Sequence, residues 1–454
     1  MSSIPNAQVF RAYDIRGDAD RDLPDALALD LGRALGTFWS RRGGRRICLG
    51  RDCRLSSPRL SSALRSGILE AGLTIVDIGV VPTPSMYFTV FHEDLDGGVQ
   101  VTGSHNPPGD NGFKMMAGTQ TLSGEDIKTL HTLIVRRDFV KAPGGRIVEL
   151  DPLPAYLGFI EGNVRLARND LRFAIDAGNG AAGPTAVAAL ETAGLSPMAL
   201  LCEPDGAFPV HHPDPSEPHN LELLRKTVLG NGLDCGIAYD GDGDRIGVID
   251  DQGEVLYGDR LLILLARKLL EERPGAAVLG EVKCSQTLYD DIAEHGGRPI
   301  LWKTGHSLIK AKMKEEKALL AGEMSGHVFF ADRFFGFDDA VYATLRLLEI
   351  LAETDRPLSA LLADVPNLPS TPEIRVPCSD ETKFDVVAKV IEDYKPTHDV
   401  VTVDGARILF DDGWGLVRAS NTQPVLVLRF EASTEARLQE IREDVEAAVE
   451  EAKV

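Results

Sequence analysis

"RICLGRDCRLSSPRLSSALRSGILEAGLTIVDIG", Arg46 to Gly79, reads as a strand, a polar loop, an amphipathic helix, a glycine stop and a second strand. "LRFAIDAGNGAAGPTAVAALETAGLSPMALL", Leu171 to Leu201, repeats that order, and so does "AAVLGEVKCSQTLYDDIAEHGGRPILWKTG", Ala276 to Gly305. Three successive α/β units follow. Strands alternating with helices imply mostly parallel sheets, whose ligands bind at the C-terminal ends of the strands. After Pro366 the character changes. "NLPSTPEIRVPCSDE" leads into the hairpin-like "DGARILFDDGWGLVRAS", the strand "PVLVLRFEA" and a closing helix "STEARLQEIREDVEAAVEEA". That is an α+β pattern and a fourth domain. Divisions are expected at residues 1–150, 151–252, 253–366 and 367–454.

Composition agrees with several domains. The chain has 454 residues, whereas single cores stop growing at about 250–300 residues. Hydrophobic residues at 43 %, with 44 Gly and 26 Pro, describe an ordinary globular protein rich in turns. A net charge of −21 argues against nucleic-acid or anionic-membrane partners. A phosphorylated ligand would then need locally concentrated cations or a metal. The six cysteines form no C-x-x-C pair and are expected to be reduced and buried. "MSSIPNAQVF" lacks the charged and apolar regions of a signal peptide. The longest apolar run, "LLILLA" at 261–266, is too short for a bilayer. The cytoplasm is the expected compartment.

Four loops carry the chemistry. "VTGSHNPPGDNGFKMM", Val101 to Met116, follows the apolar "GGVQV" and crowds Ser104, His105 and Asn106 against two prolines and two glycines. Such residues make surface turns. They also make a rigid loop that presents the Ser104 hydroxyl as nucleophile or phosphate carrier. In "GIAYDGDGDRIGVIDDQGEVLYG", Asp240, Asp242 and Asp244 alternate with glycines, so three carboxylates can converge on one hard cation. An EF-hand loop would need Gly at its sixth position and Glu at its twelfth, where Arg245 and Asp251 stand; the flanks are strand-like, not helical. Three carboxylates leave room for ligand oxygens, which suits magnesium. "AGEMSGHVFF" sets Glu323, Ser325 and His327 on a short Gly-bounded segment, either a plain turn or a set of donors and acceptors for vicinal hydroxyls. "RASNTQPVLVLRFE" offers Arg418, Ser420, Asn421, Thr422 and Arg429, a structural turn or a cradle for a dianion.

With "FRAYDIRG" near the N-terminus, "TGSHNPPGDNGFK", "DGDGDR", "GEMSGH" and "RASNTQP" follow the order and rough spacing of the α-D-phosphohexomutase superfamily. The chain resembles its bacterial phosphomannomutase/phosphoglucomutase group from Val9 to beyond Arg429. The resemblance implies three related α/β mixed-sheet domains plus a smaller C-terminal α+β domain around a central cleft. It implies that Ser104 carries a phosphoryl group beside Mg2+ held with Asp240, Asp242 and Asp244. Sugar monophosphates would be the substrates, passing through a hexose 1,6-bisphosphate, and glucose 1,6-bisphosphate the activator. His105 and Asn106 would shape the loop, Arg245 would stabilise the transferring phosphoryl, and Lys114 with Arg16 would supply acid/base chemistry and charge stabilisation. Tyr13, Lys283 in "GEVKCS", His306 in "KTGHS", Glu323, Ser325 and His327 would line the sugar site, and Arg418, Ser420, Asn421 and Thr422 the phosphate site. Gly103 replaces the alanine usual in the family, a small-for-small exchange expected to be harmless. A monomer is expected.

Other classes fit less well. A serine hydrolase would need a G-x-S-x-G elbow, and adjacent Ser and His side chains do not readily form a triad bond. A cation-dependent carbohydrate-binding protein would use the same acidic and sugar loops without chemistry. Within the family the alternative is phosphoglucosamine mutase, whose sugar loop commonly has Gln where Met324 stands here.

Overall fold

In the computed structural model, which describes residues 7–11, 13–421 and 423–453, the first repeat unit forms strand Arg46–Arg51, helix Ser57–Glu70 and strand Thr74–Val80. Leu60, Leu64 and Ile68, four residues apart, turn one helix face into the core. Pro58 sits in the first turn, where its missing N–H has no helical partner to lose. Gly72, at φ +80°, makes the turn that follows the helix, a conformation costly for residues with a Cβ. The two strands run parallel, as a helical crossover permits.

The unit is larger than the sequence pattern suggested, and it recurs. Gly97–Val101 pairs parallel on the other side of Arg46–Arg51, and Asp110–Ala117 pairs antiparallel with Gly97–Val101. In the second sheet, Phe173–Asp176 lies between parallel strands Met198–Leu200 and Cys235–Tyr239, and Ile246–Asp250 is antiparallel to the latter. In the third, Ala277–Glu281 lies between parallel Arg298–Trp302 and Leu320–Gly322, and Val328–Phe330 is antiparallel. The sheets are therefore mixed rather than mostly parallel. A short loop can join only antiparallel neighbours, and in each unit that loop is a motif: Ser104, Asp240 to Asp244, and Glu323 to His327. One topological position thus supplies three of the four loops.

The fourth domain is a five-stranded antiparallel sheet. It includes the hairpin of Ala406–Phe410 and Gly413–Ala419 and is backed by helix Glu435–Ala452. The Thr434 hydroxyl caps that helix by accepting from the Arg437 N–H at 3.2 Å. One hydrophobic core runs through the three α/β units from Cys48 to Val365, whereas the C-terminal domain has its own around Val390, Ile408, Leu428 and Phe430. Val282, Trp414 and Leu416 form a small seam between them. A separate core with a narrow seam is the anatomy of a movable domain.

All six cysteines are free. Cys48, Cys235 and Cys284 are buried as expected; Cys53, Cys202 and Cys378 are only half-buried, because they lie just past strand ends where the chain turns outward. Among the described residues no helix is long and apolar enough to cross a membrane.

Candidate active site

Ser104 is buried and adopts φ +49°, a left-handed conformation unusual for a residue with a side chain. Its N–H donates to Thr102 Oγ1 at 2.9 Å, and its hydroxyl donates to Asp240 Oδ2 at 2.7 Å. Arg54, from the polar loop of the first repeat, holds this strained turn. Its buried guanidinium donates to the carbonyls of Ser104 at 2.6 Å and Asp110 at 2.9 Å, and to those of Asn106 and Pro107. Asp52 receives the Gly103 N–H at 3.1 Å. Asn106 braces the loop through Asp110 Oδ2 at 3.1 Å. Gly103 is less replaceable than its size suggests: a Cβ there would lie 2.6 Å from the Arg54 guanidinium carbon and 2.8 Å from the Asp110 carbonyl oxygen.

Adjacent Ser and His side chains were not expected to form a triad bond, and here they come together without one. Ser104 Oγ lies 3.2 Å from His105 Nδ1, because the left-handed turn brings both side chains to one side. No triad results, since the hydroxyl proton is directed to Asp240 and no carboxylate among the described residues pairs with His105. Burial, with Arg245, Arg16 and Lys114 nearby, holds the His105 pKa well below its ordinary value.

Asp240, Asp242 and Asp244 are fully buried, with one oxygen of each within 4.8 Å of the others. Asp240 Oδ1 accepts the N–H groups of Asp244 and Arg245, both at 3.1 Å, which wraps the loop around it. Asp242 is tied to the first domain by Thr83, whose N–H donates to its carbonyl at 2.8 Å and whose hydroxyl meets its carboxylate. Lys114 Nζ lies 2.7 Å from Asp242 Oδ2 and also contacts Asp244 Oδ2. Burial and the neighbouring carboxylates push Asp240 well above the usual carboxylate range. Burial opposes the charge on Asp242 too, yet Lys114 keeps its carboxyl below that range. Asp242 Oδ1 and Asp244 Oδ1 are buried without a hydrogen-bond partner among the described residues. Orphaned, clustered carboxylate oxygens are what a small divalent cation with oxygen ligands requires.

The third loop meets the second directly. Arg245 Nε donates to His327 Nε2 at 3.0 Å, so the ring proton belongs on Nδ1, which lies 2.9 Å from Asp338 Oδ2. Lys310 Nζ holds the other Asp338 oxygen at 3.0 Å. His306 stacks on His327 with ring centroids 5.7 Å apart, and burial, then Lys310, depresses its pKa. Glu323 Oε1 accepts the Gly305 N–H at 2.6 Å, and Ser325 is half-buried beside it. Arg16 lies on strand Ile15–Asp18, next to the strand of Lys114, with its Nε donating to Asp14 at 2.9 Å.

The C-terminal loop reaches the same cleft. Arg418 Nε donates to Asp404 Oδ2 at 2.6 Å, and Asp404 also accepts the Thr304 N–H at 3.1 Å. The Tyr13 hydroxyl bonds the Asn421 side chain, and Ser420 Oγ receives the Gln423 N–H at 3.1 Å. Thr422 lies outside the described residues. Lys283 pairs with Glu373 of the C-terminal domain, which draws that carboxyl down to about 2, and stands 3.4 Å from Glu281. Arg429 does not join the cradle. Its guanidinium crosses to the third domain, contacting the Lys283 carbonyl and Asp259 at 3.8 Å, because its strand faces the interdomain seam. Asp52, Arg54, Thr83, Asp338 and Glu281 escaped the motif reading. Asp52 and Arg54 had one visible signal, their place in a polar loop at a strand's C-terminal end.

Four regions match the domains of one family: residues 7–141 phosphoglucomutase/phosphomannomutase alpha/beta/alpha domain I, 154–253 domain II, 257–368 domain III and 373–448 the C-terminal domain. A phosphomannomutase/phosphoglucomutase of Pseudomonas putida is 46 % identical over 443 residues, covering 97 % of this chain and 95 % of that protein. A phosphoglucomutase of Neisseria gonorrhoeae is 44 % identical over 454 residues, covering 99 % and 98 %. A crystal structure of a phosphoglucomutase/phosphomannomutase family protein from Burkholderia thailandensis superposes with a TM-score of 0.93 at 43 % identity, covering 99 % of this chain and 98 % of that one. With four domains in family order and relatives matched along nearly their whole length, the chain belongs to the phosphoglucomutase/phosphomannomutase family, enzymes that interconvert hexose phosphates.

Proposed function

We propose that the enzyme interconverts the 1- and 6-phosphates of mannose and glucose through a phosphorylated Ser104. The observation that carries this reading is the 2.7 Å bond from the buried Ser104 hydroxyl to Asp240, one of the three carboxylates of the candidate cation site. The phosphoryl on Ser104 passes to the free 1- or 6-hydroxyl of a bound hexose monophosphate, the P–O bond to serine breaking as the new one forms. The hydroxyl proton leaves to a base, and the product is a hexose 1,6-bisphosphate. After the sugar reverses, Ser104 Oγ takes the phosphoryl from the other end.

Such transfer demands alignment and charge neutralisation above all. Asp240, Asp242 and Asp244 would hold Mg2+, which when bound neutralises charge on the phosphoryl oxygens. Lys114 is the candidate proton carrier. Its ammonium is held charged by Asp242 and Asp244 against the opposing effect of burial, so neutralising those carboxylates frees its proton for exchange. Arg16 and Arg245 supply positive charge, and His105, kept neutral by burial, accepts without repelling them. Glu323, Ser325, His306, His327, Lys283 and Tyr13 would line the sugar, and Arg418, Ser420, Asn421 and Thr422 would hold the phosphate that does not react. All four loops come from one chain, so a monomer suffices. Six free cysteines suit the cytoplasm.

A coupled assay for mannose 6-phosphate from mannose 1-phosphate and glucose 6-phosphate from glucose 1-phosphate tests the reading, with Mg2+ and glucose 1,6-bisphosphate as activator. Turnover of both supports it. Turnover of glucosamine 1-phosphate in preference to either would transfer the assignment to phosphoglucosamine mutase.

A further inference from the structure

Two helices that begin at the active site wall a second cavity at their far ends. Helix Thr83–His92 starts with the threonine that holds Asp242. Helix His306–Glu316 starts with the histidine stacked on His327. Together with the segment around Phe335 they enclose a cleft of about 360 Å³, within the ~300–1,000 Å³ of small-molecule sites. Tyr87, Phe91 and Phe335 give it aromatic walls, and Lys310, Lys314 and Lys317 stand along its lining.

The charge there is unusual for this chain. Its net charge is −21, yet Lys314 and Lys317 are exposed and neither has an ion pair among the described residues. Unpaired ammonium groups beside aromatic faces select an anion with a flat apolar body. Lys310 joins this cleft to the chemistry. Its Nζ lies 4.2 Å from the centroid of the Tyr87 ring and 3.0 Å from Asp338 Oδ1, while the other Asp338 oxygen is 2.9 Å from His327 Nδ1.

We propose that this cleft is a regulatory site for a small aromatic carboxylate, whose occupancy slows the mutase by drawing Lys310 from Asp338 and so unseating His327. The rings lie among Tyr87, Phe91 and Phe335, and the carboxylate is met by the three lysines. A ligand shifts an arrangement only by binding its two forms unequally; here the inequality is the contest between ligand carboxylate and Asp338 for one ammonium.

The probe is 2-naphthoate, with uncharged 2-naphthamide as its control, titrated calorimetrically into the full-length enzyme with Mg2+ and followed by steady-state kinetics at saturating glucose 1-phosphate. Naphthoate is expected to bind at least about tenfold more tightly than the amide and to lower kcat in a saturable way that added hexose phosphate does not relieve. Lys314→Glu/Lys317→Glu, both exposed and outside the catalytic loops, should keep its basal turnover and bind naphthoate at least about tenfold more weakly. Absent binding, equal binding of the amide, unchanged binding by the double variant, an unchanged kcat, or inhibition relieved by substrate would each overturn the proposal. The calorimetry reads binding without turnover, so it stands apart from the phosphoserine chemistry.

Discussion

Ser104 Oγ and Asp240 Oδ2 meet at 2.7 Å across 136 residues of chain. Each lies just past the third strand of its own repeat, so the candidate nucleophile and the candidate cation site come together because two copies of one topology face each other. If Ser104 is the phosphoryl carrier, part of the purified protein should carry one phosphoryl on its peptide, seen by intact mass and peptide mapping. Ser104→Ala should fold normally and lose turnover about a thousandfold or more, ~4 kcal/mol of transition-state stabilisation. Wild-type activity in that variant would rule out phosphoserine chemistry.

Asp242 is shared between Thr83, Lys114 and the cation site. Asp242→Asn should weaken Mg2+ binding and lower kcat far more than it changes KM, because the cation acts on charge that develops during transfer. Chelation with EDTA should abolish activity and added Mg2+ restore it. Full activity without metal would defeat the assignment, and recovery with Ca2+ alone would mark a structural ion.

Gly103→Ala restores the residue usual in the family, but the new Cβ would press on the Arg54 guanidinium. Arg54 is buried on four loop carbonyls and has nowhere to retreat. A loss of about 1–3 kcal/mol is expected, the usual cost of overpacking, with reduced kcat. Denaturant unfolding measures it; an unchanged midpoint would show that Arg54 yields freely.

Arg418 ties the C-terminal loop to Asp404, and Asp404 to the third domain. Arg418→Ala should raise KM for mannose 1-phosphate and glucose 1-phosphate alike and release more hexose 1,6-bisphosphate per turnover, since closure excludes water and retains the intermediate. Ser104 phosphorylation should survive. Isotope trapping reads the leak. A defect confined to one sugar would make this a sugar-discriminating loop.

His105 and His306 have folded pKa values depressed chiefly by burial. Below the unfolded value of about 6.5 the unfolded chain takes up protons that the fold refuses, so stability is complete above that pH and is lost as pH falls. Each histidine contributes up to about 1.4 kcal/mol per pH unit below it. Thermal unfolding between pH 7.5 and about 5 should show a shallower decline in His306→Asn than in wild type; equal slopes would contradict it.

The strand, helix and stop of Arg46 to Gly79 were legible because hydrophobic period and glycine placement act over a few residues. The carboxylates of "DGDGD" were legible for the same reason: alternation with glycine makes their convergence a property of one turn. The fourth, antiparallel strand of each repeat was not recognised as part of the unit, since "DNGFKMMA", "IGVID" and "VFF" resemble any short strand. The alternation of strands and helices alone therefore implied mostly parallel sheets, whereas the mixed sheets that the family resemblance implied are the ones observed.

By itself the sequence determined which loops are the candidates for chemistry and in what order they come, because turn chemistry and metal-donor spacing are local. Tertiary structure decided the partnerships: Arg54 beneath Ser104, Thr83 on Asp242, Asp338 behind His327, and Arg429 turned from the phosphate cradle toward the third domain. The first three join residues that the chain keeps apart, and the fourth depends on how two cores abut. A buried arginine or aspartate has no period that betrays it. Its partner is chosen by the packing of sheets around shared and separate cores, where an unpaired charge is too costly to leave.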